Sequence, residues 1–288
     1  MTIPTNLWSL LLLAGTVGSA QTLGNASGTL TVNGKATKII TAQALEIQDW
    51  TYDSKARKFV AVKAVKVSLS DVPVEDLEDN FEKFLRGREG KLHAIVLTFN
   101  TKGKATDGEL IHETFTNGAI SFSGSDVARF ERKTLDNKTI SGKVSVGKLQ
   151  EFNGVTYEFS VAFNAAIQPQ PKPTVEGPEA ETTGAGKAVW EFLRAAASRD
   201  TTALKRIFRP EIAKLLEDPD RNQEVWGLLD YSYPVDKVYK IVRIFDFGNR
   251  AWVEAMSTRP SESGGPPVDV TTRVRLVRVN GEWKVQPM

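Results

Sequence analysis

The sequence predicts a β-rich chain in two parts. The N-terminal part reads as an all-β domain, a sandwich or barrel with one accessory helix. The C-terminal part reads as an α+β domain with helices on a curved antiparallel sheet. Three observations predict this. Period-two alternation between Asn-Gly pairs fills the first half of the chain. Helical spacing followed by four strands fills the last hundred or so residues. Between them lies "QPQPKPTVEGPEAETT", residues 168–183, whose Pro and Glu content with almost no apolar side chain marks an extended linker. The expected divisions are 1–20 a signal peptide, 21–167 a β-rich domain, 168–183 a linker and 184–288 the α+β domain.

The opening "MTIPTNLWSLLLLAGTVGSAQT" has a short apolar run from Leu7 to Ala14 and small residues Gly18, Ser19 and Ala20 before Gln21. This is the pattern of a cleaved secretory signal, although no Lys or Arg precedes the apolar run. The run is too short to span a bilayer, which needs about 20 apolar residues. The expected location is therefore periplasmic or secreted, with no membrane span. The chain has no cysteine, which excludes a lipoprotein anchor, disulfides, thiol nucleophiles and Cys-ligated metal.

Strands are expected at 28–32, 36–49, 58–69, 91–99, 109–115, 119–123, 127–133 and 140–149. Asn33-Gly34, Asn117-Gly118 and Asn153-Gly154 supply hairpin turns. After the last of these, Val155, Tyr157, Phe159, Val161 and Phe163 alternate with polar or small residues. A two-residue turn would set Val161 opposite Val146 and Phe163 opposite Val144. One helix interrupts the strands: Ser70 and Asp71 offer caps, and Val74, Leu77, Phe81, Phe84 and Leu85 follow at helical spacing up to Gly87.

In the C-terminal part, Ala188, Val189, Phe192, Leu193 and Ala196 share a helical face. Asp200 caps a second helix with Leu204 and Ile207, Pro210 opens another turn, and a short helix covers Val225 to Leu229. The first strand pair turns at Gly248-Asn249, a type II′ signal, and sets Arg243 opposite Glu254. Both faces of this pair are substantially apolar, so both should be covered. The last pair turns at Asn280-Gly281, with Arg278 opposite Trp283 in reach of a cation–π contact.

The phrases "AVWEFLRAAASRDTTALKRIFRPE" and "RVRLVRVNGEWKVQPM", in this order of elements, resemble the nuclear-transport-factor-2-like cone fold, the superfamily of ketosteroid-isomerase-like and SnoaL-like proteins. The resemblance covers 184–288. It implies a sheet curled around a pocket, in which the isomerase-like enzymes use Asp and Tyr. The superfamily also holds many non-catalytic binding domains, so the fold does not convert into an activity. The ligand-pocket candidates are Arg243, Glu254, Trp252, Tyr231, Tyr233 and Asp236. The plainer account of Arg243 and Glu254 is a cross-strand ion pair, contributing from a few tenths to about 1 kcal/mol. No catalytic residue, metal ligand or cofactor is assigned.

A formal charge of +2 with interspersed signs provides no nucleic-acid footprint. There are two histidines, His93 and His112. A pairing that sets His93 against Thr114 makes them diagonal neighbours, and Glu109 and Glu113 are close in sequence. The spacing implies no third metal ligand, so the expectation is two strand histidines that pack or face solvent. Ser123, Ser125 and Asp126 read as a turn rather than a nucleophile. The functional expectation is an exported, non-catalytic protein that binds a partner, an envelope component or a small apolar ligand, with a homodimer through the C-terminal sheet as one arrangement. The alternative is an isomerase or hydrolase acting on a small apolar molecule in the cone pocket.

Overall fold

The computed structural model describes residues 23–53, 58–74, 80–123, 128–219, 222–233, 239–259 and 267–286. The expected signal peptide, Leu77, Ser125, Asp126 and Asp236 lie outside the described residues, as does the side chain of Tyr231. The fold is mostly β, with a curled antiparallel sheet forming a half-barrel.

The first sheet contains β1 (Gly24–Val32), β2 (Lys35–Asp53), β3 (Lys58–Ser70), β4 (Ala94–Asn100), β5 (Ala105–Ile111), β6 (Ala119–Phe122), β7 (Ala128–Leu135), β8 (Thr139–Val146), β9 (Gln150–Phe152) and β10 (Val155–Gln168). Their order is β6-β5-β4-β3-β2-β1-β10-β8-β7, with β9 beside β10. The β1–β2 turn has φ of 48° at Asn33 and 78° at Gly34, the two positive values that a type I′ turn demands. Asn153-Gly154 behaves alike, at 50° and 79°.

The sheet curls so that one face closes on itself. Leu30, Ile39, Val67, Ile95, Phe99, Leu110, Val144, Phe159 and Phe163 form one buried cluster drawn from strands far apart in the order. The Phe99 ring of β4 lies 4.5 Å from that of Phe130 on β7, and Phe130 stacks on Phe163 of β10 at 5.9 Å. Gly28 makes room for the bend. A Cβ there would sit 2.1 Å from the Ser160 carbonyl oxygen, and the β1–β2 register shifts between Asn25 and Gly28. Beyond that shift β2 reaches past β1 and pairs in parallel with β10, Ile167 with Ala44.

The opposite face is covered where the chain leaves β3 and returns to β4. Leu45, Val74, Leu92, Ala94, Val96 and Ile111 form a second cluster there, beside helix α1 (Asn80–Arg88). Buried Gln43 holds this excursion. Its Nε2 donates to the Val74 carbonyl at 2.6 Å, and its Oε1 accepts the Val74 N–H at 2.8 Å.

The second sheet has the order β11-β12-β13-β14-β15. Its strands are β11 (Val175–Glu176), β12 (Tyr239–Asp246), β13 (Arg250–Arg259), β14 (Val268–Val279) and β15 (Glu282–Gln286). Helices α2 (Glu179–Thr182), α3 (Gly184–Ala197), α4 (Thr201–Ile207), α5 (Pro210–Leu215) and α6 (Asn222–Ser232) accompany it. Thr183 caps α3 by accepting the Gly186 N–H, Asp200 caps α4 by accepting that of Ala203, and Pro210 stands in the first turn of α5. Val189, Phe192, Leu193, Leu204, Ile207 and Phe208 bury against Ile241, Val253, Val274 and Val285. The Asn280-Gly281 turn has φ of 52° and 84°, and the Arg278 guanidinium lies 4.4 Å over Trp283 as its pairing requires. The β15 strand is tied to the helices where the Arg209 N–H donates to the Val285 carbonyl at 3.2 Å.

Four local expectations change. Val161 pairs with Val144, not Val146, and Phe163 with Gly142. The two-residue turn does set β9 against β10, but Gly147 to Leu149 then step the register by two, which leaves every side chain on its expected face. Asn117-Gly118 closes no two-residue turn: Ile111 pairs with Ala119, so 112–118 is a longer loop in which Gly118 alone has positive φ. A bulge between Ile241 and Arg243 turns Tyr239 and Ile241 toward the helices, away from the face that carries Arg243. Inside the expected linker, Val175 and Glu176 pair with Ile244 and Arg243, and Ala180 is fully buried.

Candidate functional site

Two histidines and two carboxylates converge at one rim of the first sheet. Ser70 pairs with Ala94, and Ala94 pairs with Ile111. Extending each ladder by one position sets Asp71, His93 and His112 in a single row across three neighbouring strands. The parity of that row matches Leu69, Ile95 and Leu110, so it faces the side that the sheet encloses. The expected pairing of His93 with Thr114 is therefore off by two: the histidines are directly opposed, with ring centroids 4.7 Å apart.

Side-chain geometry locks the row. The Asp71 carboxylate takes two hydrogen bonds from one residue, the His93 N–H at 2.9 Å and the His93 ring at Nδ1, 2.6 Å. The other ring nitrogen, Nε2, lies 2.6 Å from Glu113 Oε2. The same oxygen is 3.4 Å from His112 Nδ1. Lys35, the first residue of β2, stands 3.9 Å from the second Glu113 oxygen, largely exposed. His112 is buried; its Nδ1 accepts the Thr114 N–H at 3.2 Å, and its Nε2 has no hydrogen-bond partner.

The environments of the two imidazoles differ. Burial alone would lower the pKa of His93, but the hydrogen bonds and negative charges of Asp71 and Glu113 outweigh it and raise the value above 6.5. At His112 burial dominates, Glu113 opposes it incompletely, and the result falls below 6.5. Burial would raise Glu113, but hydrogen bonds from its backbone and from His93 hold it below the usual carboxylate value. One nitrogen from each histidine and one Glu113 oxygen lie within 4.8 Å of one another, a donor set able to hold a cation.

The second sheet brings together three of the pocket candidates. Arg243 is paired directly with Glu254, as its spacing predicts, with Nε 2.9 Å from Oε2. That N–H is not aligned on the oxygen, so the contact is an ion pair rather than a hydrogen bond. Arg273 donates to the other Glu254 oxygen at 3.1 Å and lies 4.6 Å over the Trp252 ring. Because Ala251, Val253 and Ala255 face the helices, Trp252 and Glu254 point to the opposite side. Tyr233 lies in the other layer, buried edge-on against Phe192 at 4.9 Å, its hydroxyl without a hydrogen-bond partner. Burial pushes that hydroxyl's pKa up. Asp230 is exposed and accepts from Arg199 at 2.7 Å. Of the four candidates whose side chains are described, Arg243, Glu254 and Trp252 lie on one side of the second sheet and Tyr233 on the other.

Two surface depressions are open rather than enclosed. One, of about 770 Å³, is lined by Trp190, Glu191, Arg194 and Asp200. The other, of about 680 Å³, crosses β1, β8 and β10 near Asn25, Lys143 and Phe163. Neither is lined by a residue of the second sheet. No helix of the described residues is long and apolar enough to cross a membrane. The sequence matches no protein-family model and no curated protein.

Proposed function

We propose that this chain is an exported, non-catalytic binding protein: an all-β N-terminal domain joined to a nuclear-transport-factor-2-like cone domain that serves as scaffold. The observation that carries this reading is the filling of the layer between helices and second sheet. Phe192, Leu204, Ile207, Phe208, Leu229 and Tyr233 are buried in that layer, on the side where the resemblance implies a pocket. A reacting site needs convergent groups of matched pKa in a dry pocket. A buried Tyr233 hydroxyl with a raised pKa and no base in hydrogen-bond reach does not meet that need. Export rests on the composition of residues 1–20. The occupant is a protein or envelope component on the surface rather than a small molecule in the cone, and association through the second sheet belongs to the same reading.

Assay of the full chain with activated esters and β,γ-unsaturated ketones, the simplest substrates for a hydrolase or an isomerase, should show no saturable turnover. Turnover abolished by Tyr233→Phe would replace this reading with the enzymatic one. Light scattering checks the association: a monomer at all concentrations removes the homodimer.

A further inference from the structure

We propose that the rim of the first sheet binds a divalent transition ion, zinc the best matched, through His93 Nε2, His112 and Glu113, with Asp71 orienting His93. Three independent features carry this.

The first is donor chemistry. Two imidazoles and one carboxylate are the ligands that zinc and its neighbours in the first transition row favour, whereas calcium and magnesium prefer oxygen alone. A tetrahedral ion with bonds of about 2.0–2.1 Å holds its ligand atoms about 3.3 Å apart. His112 Nδ1 and Glu113 Oε2 are already 3.4 Å apart, and all three donor atoms lie within 4.8 Å. His93 Nε2 and Glu113 Oε2, at 2.6 Å, are held together by a proton between them. An ion takes that proton's place when the two atoms part by roughly 1 Å.

The second is the orienting group. Asp71 Oδ2 at 2.6 Å from Nδ1 fixes that nitrogen as a proton-bearing one, so Nε2 is the nitrogen at which a cation replaces the proton shared with Glu113. Asp71 is itself held, since its other oxygen accepts the His93 N–H and its own N–H donates to the His93 carbonyl at 3.1 Å. A carboxylate behind a histidine, fixed from both sides, is the arrangement metal-bound imidazoles use.

The third is His112. The Thr114 N–H donates into the Nδ1 lone pair, so Nε2 carries the proton, buried without a partner, and an ion at Nδ1 takes the place of the Thr114 hydrogen bond. The fold keeps an arrangement that is unfavourable for a structural histidine, with Nδ1 3.4 Å from Glu113 Oε2. Lys35 opposes a cation only weakly, being exposed and beyond hydrogen-bond distance of Glu113. His93 and Glu113 are partly exposed, so an ion has a route in. With three protein ligands, a tetrahedral ion retains one position for water.

The test uses the full chain, freed of metal with a chelator and titrated with zinc chloride by calorimetry and with cobalt chloride by visible absorption. One equivalent of each should bind, with cobalt d–d bands of a four- or five-coordinate site. In the zinc titration both histidine ring signals should move together, and with two histidines in the sequence the spectrum is unambiguous. His93→Gln and Glu113→Gln should each weaken zinc at least tenfold. Asp71→Asn should weaken it about 10- to 100-fold at unchanged stoichiometry. Binding well below one equivalent, or a zinc titration that leaves either ring unmoved, overturns the proposal. So does zinc affinity unchanged by Glu113→Gln in a variant whose melting is intact. The wild-type spectra decide the matter even if every variant misfolds.

Discussion

Gln43→Leu isolates one device that positions the rim. Gln43 lies on β2, but its amide treats the Val74 backbone as a neighbouring strand, donating to the carbonyl at 2.6 Å and accepting the N–H at 2.8 Å. Leu keeps much of the volume and removes both bonds. Val74 is buried, so its N–H and C=O have no water to turn to. A buried backbone group left unpaired costs about 1–3 kcal/mol, and two on one residue relax together, so the loss should be about 3 kcal/mol. For a cooperative unit the size of the first sheet this lowers Tm by about 6–12 °C. Thermal melts followed by far-ultraviolet circular dichroism, with urea titrations for the free energy, measure it. Gln43→Glu should be as harmful, because a carboxylate accepts the N–H yet repels the carbonyl. Asp71 sits on the same tethered excursion, so the Leu variant should also bind zinc more weakly. A Gln43→Leu protein that melts within 1–2 °C of wild type would refute the reasoning, since no rearrangement re-pairs two buried groups at so small a cost.

Other outcomes can be checked directly. Metal-free protein should show two histidine titrations by nuclear magnetic resonance, His93 above 6.5 and His112 below it, assigned with His93→Gln; the reverse order contradicts the hydrogen bonds of Asp71 and Glu113. The sign for stability follows: the His93 contribution is fully present below 6.5 and is lost as pH rises through its folded value, while buried His112 opposes folding as pH falls below 6.5. Tyr233→Phe should be neutral or stabilising by up to about 1 kcal/mol, because the hydroxyl it removes is buried without a hydrogen-bond partner; a loss above that would reveal a partner. Glu254→Gln should destabilise by about 1–3 kcal/mol in urea, because Glu254 is buried between two arginines, and high salt should recover little of it.

What could be read from the sequence was local chemistry. Asp200, Pro210 and the Asn-Gly turns at 33, 153 and 280 act through their own neighbours, and each does in the fold what its side chain dictates. The Arg243–Glu254 pairing was legible because a two-residue turn at Gly248 fixes register. Longer connections fix none, which is why His93 and His112 came out as diagonal rather than opposed. The missing information was two residues of slip across the 100–105 loop. Glu113 was visible in sequence, but nothing local says that it turns back from the 112–118 loop onto both histidines. Asp71 was read as a helix cap, because its role depends on β3 lying beside β4. The Val175–Glu176 strand was hidden by composition: Pro and Glu describe an extended backbone, and an extended backbone is also what an edge strand needs.

The place of β10 in the first sheet governs the order in which that sheet can assemble. Strand β1 pairs on one side with β2 through a two-residue turn, and on the other with β10, Leu30 against Phe159. Nearly the whole sheet is synthesised between those two partners. Until β10 arrives, β1 presents an unpaired edge, and the apolar row of Leu30 and Val32 lacks Tyr157, Phe159 and Val161 to cover it. Pairing so distant in sequence makes for slow folding with a long-lived exposed edge. A nascent chain halted before Val155 should therefore remain open to unfoldases and to aggregation, and release of the final strand should be the step that commits the sheet.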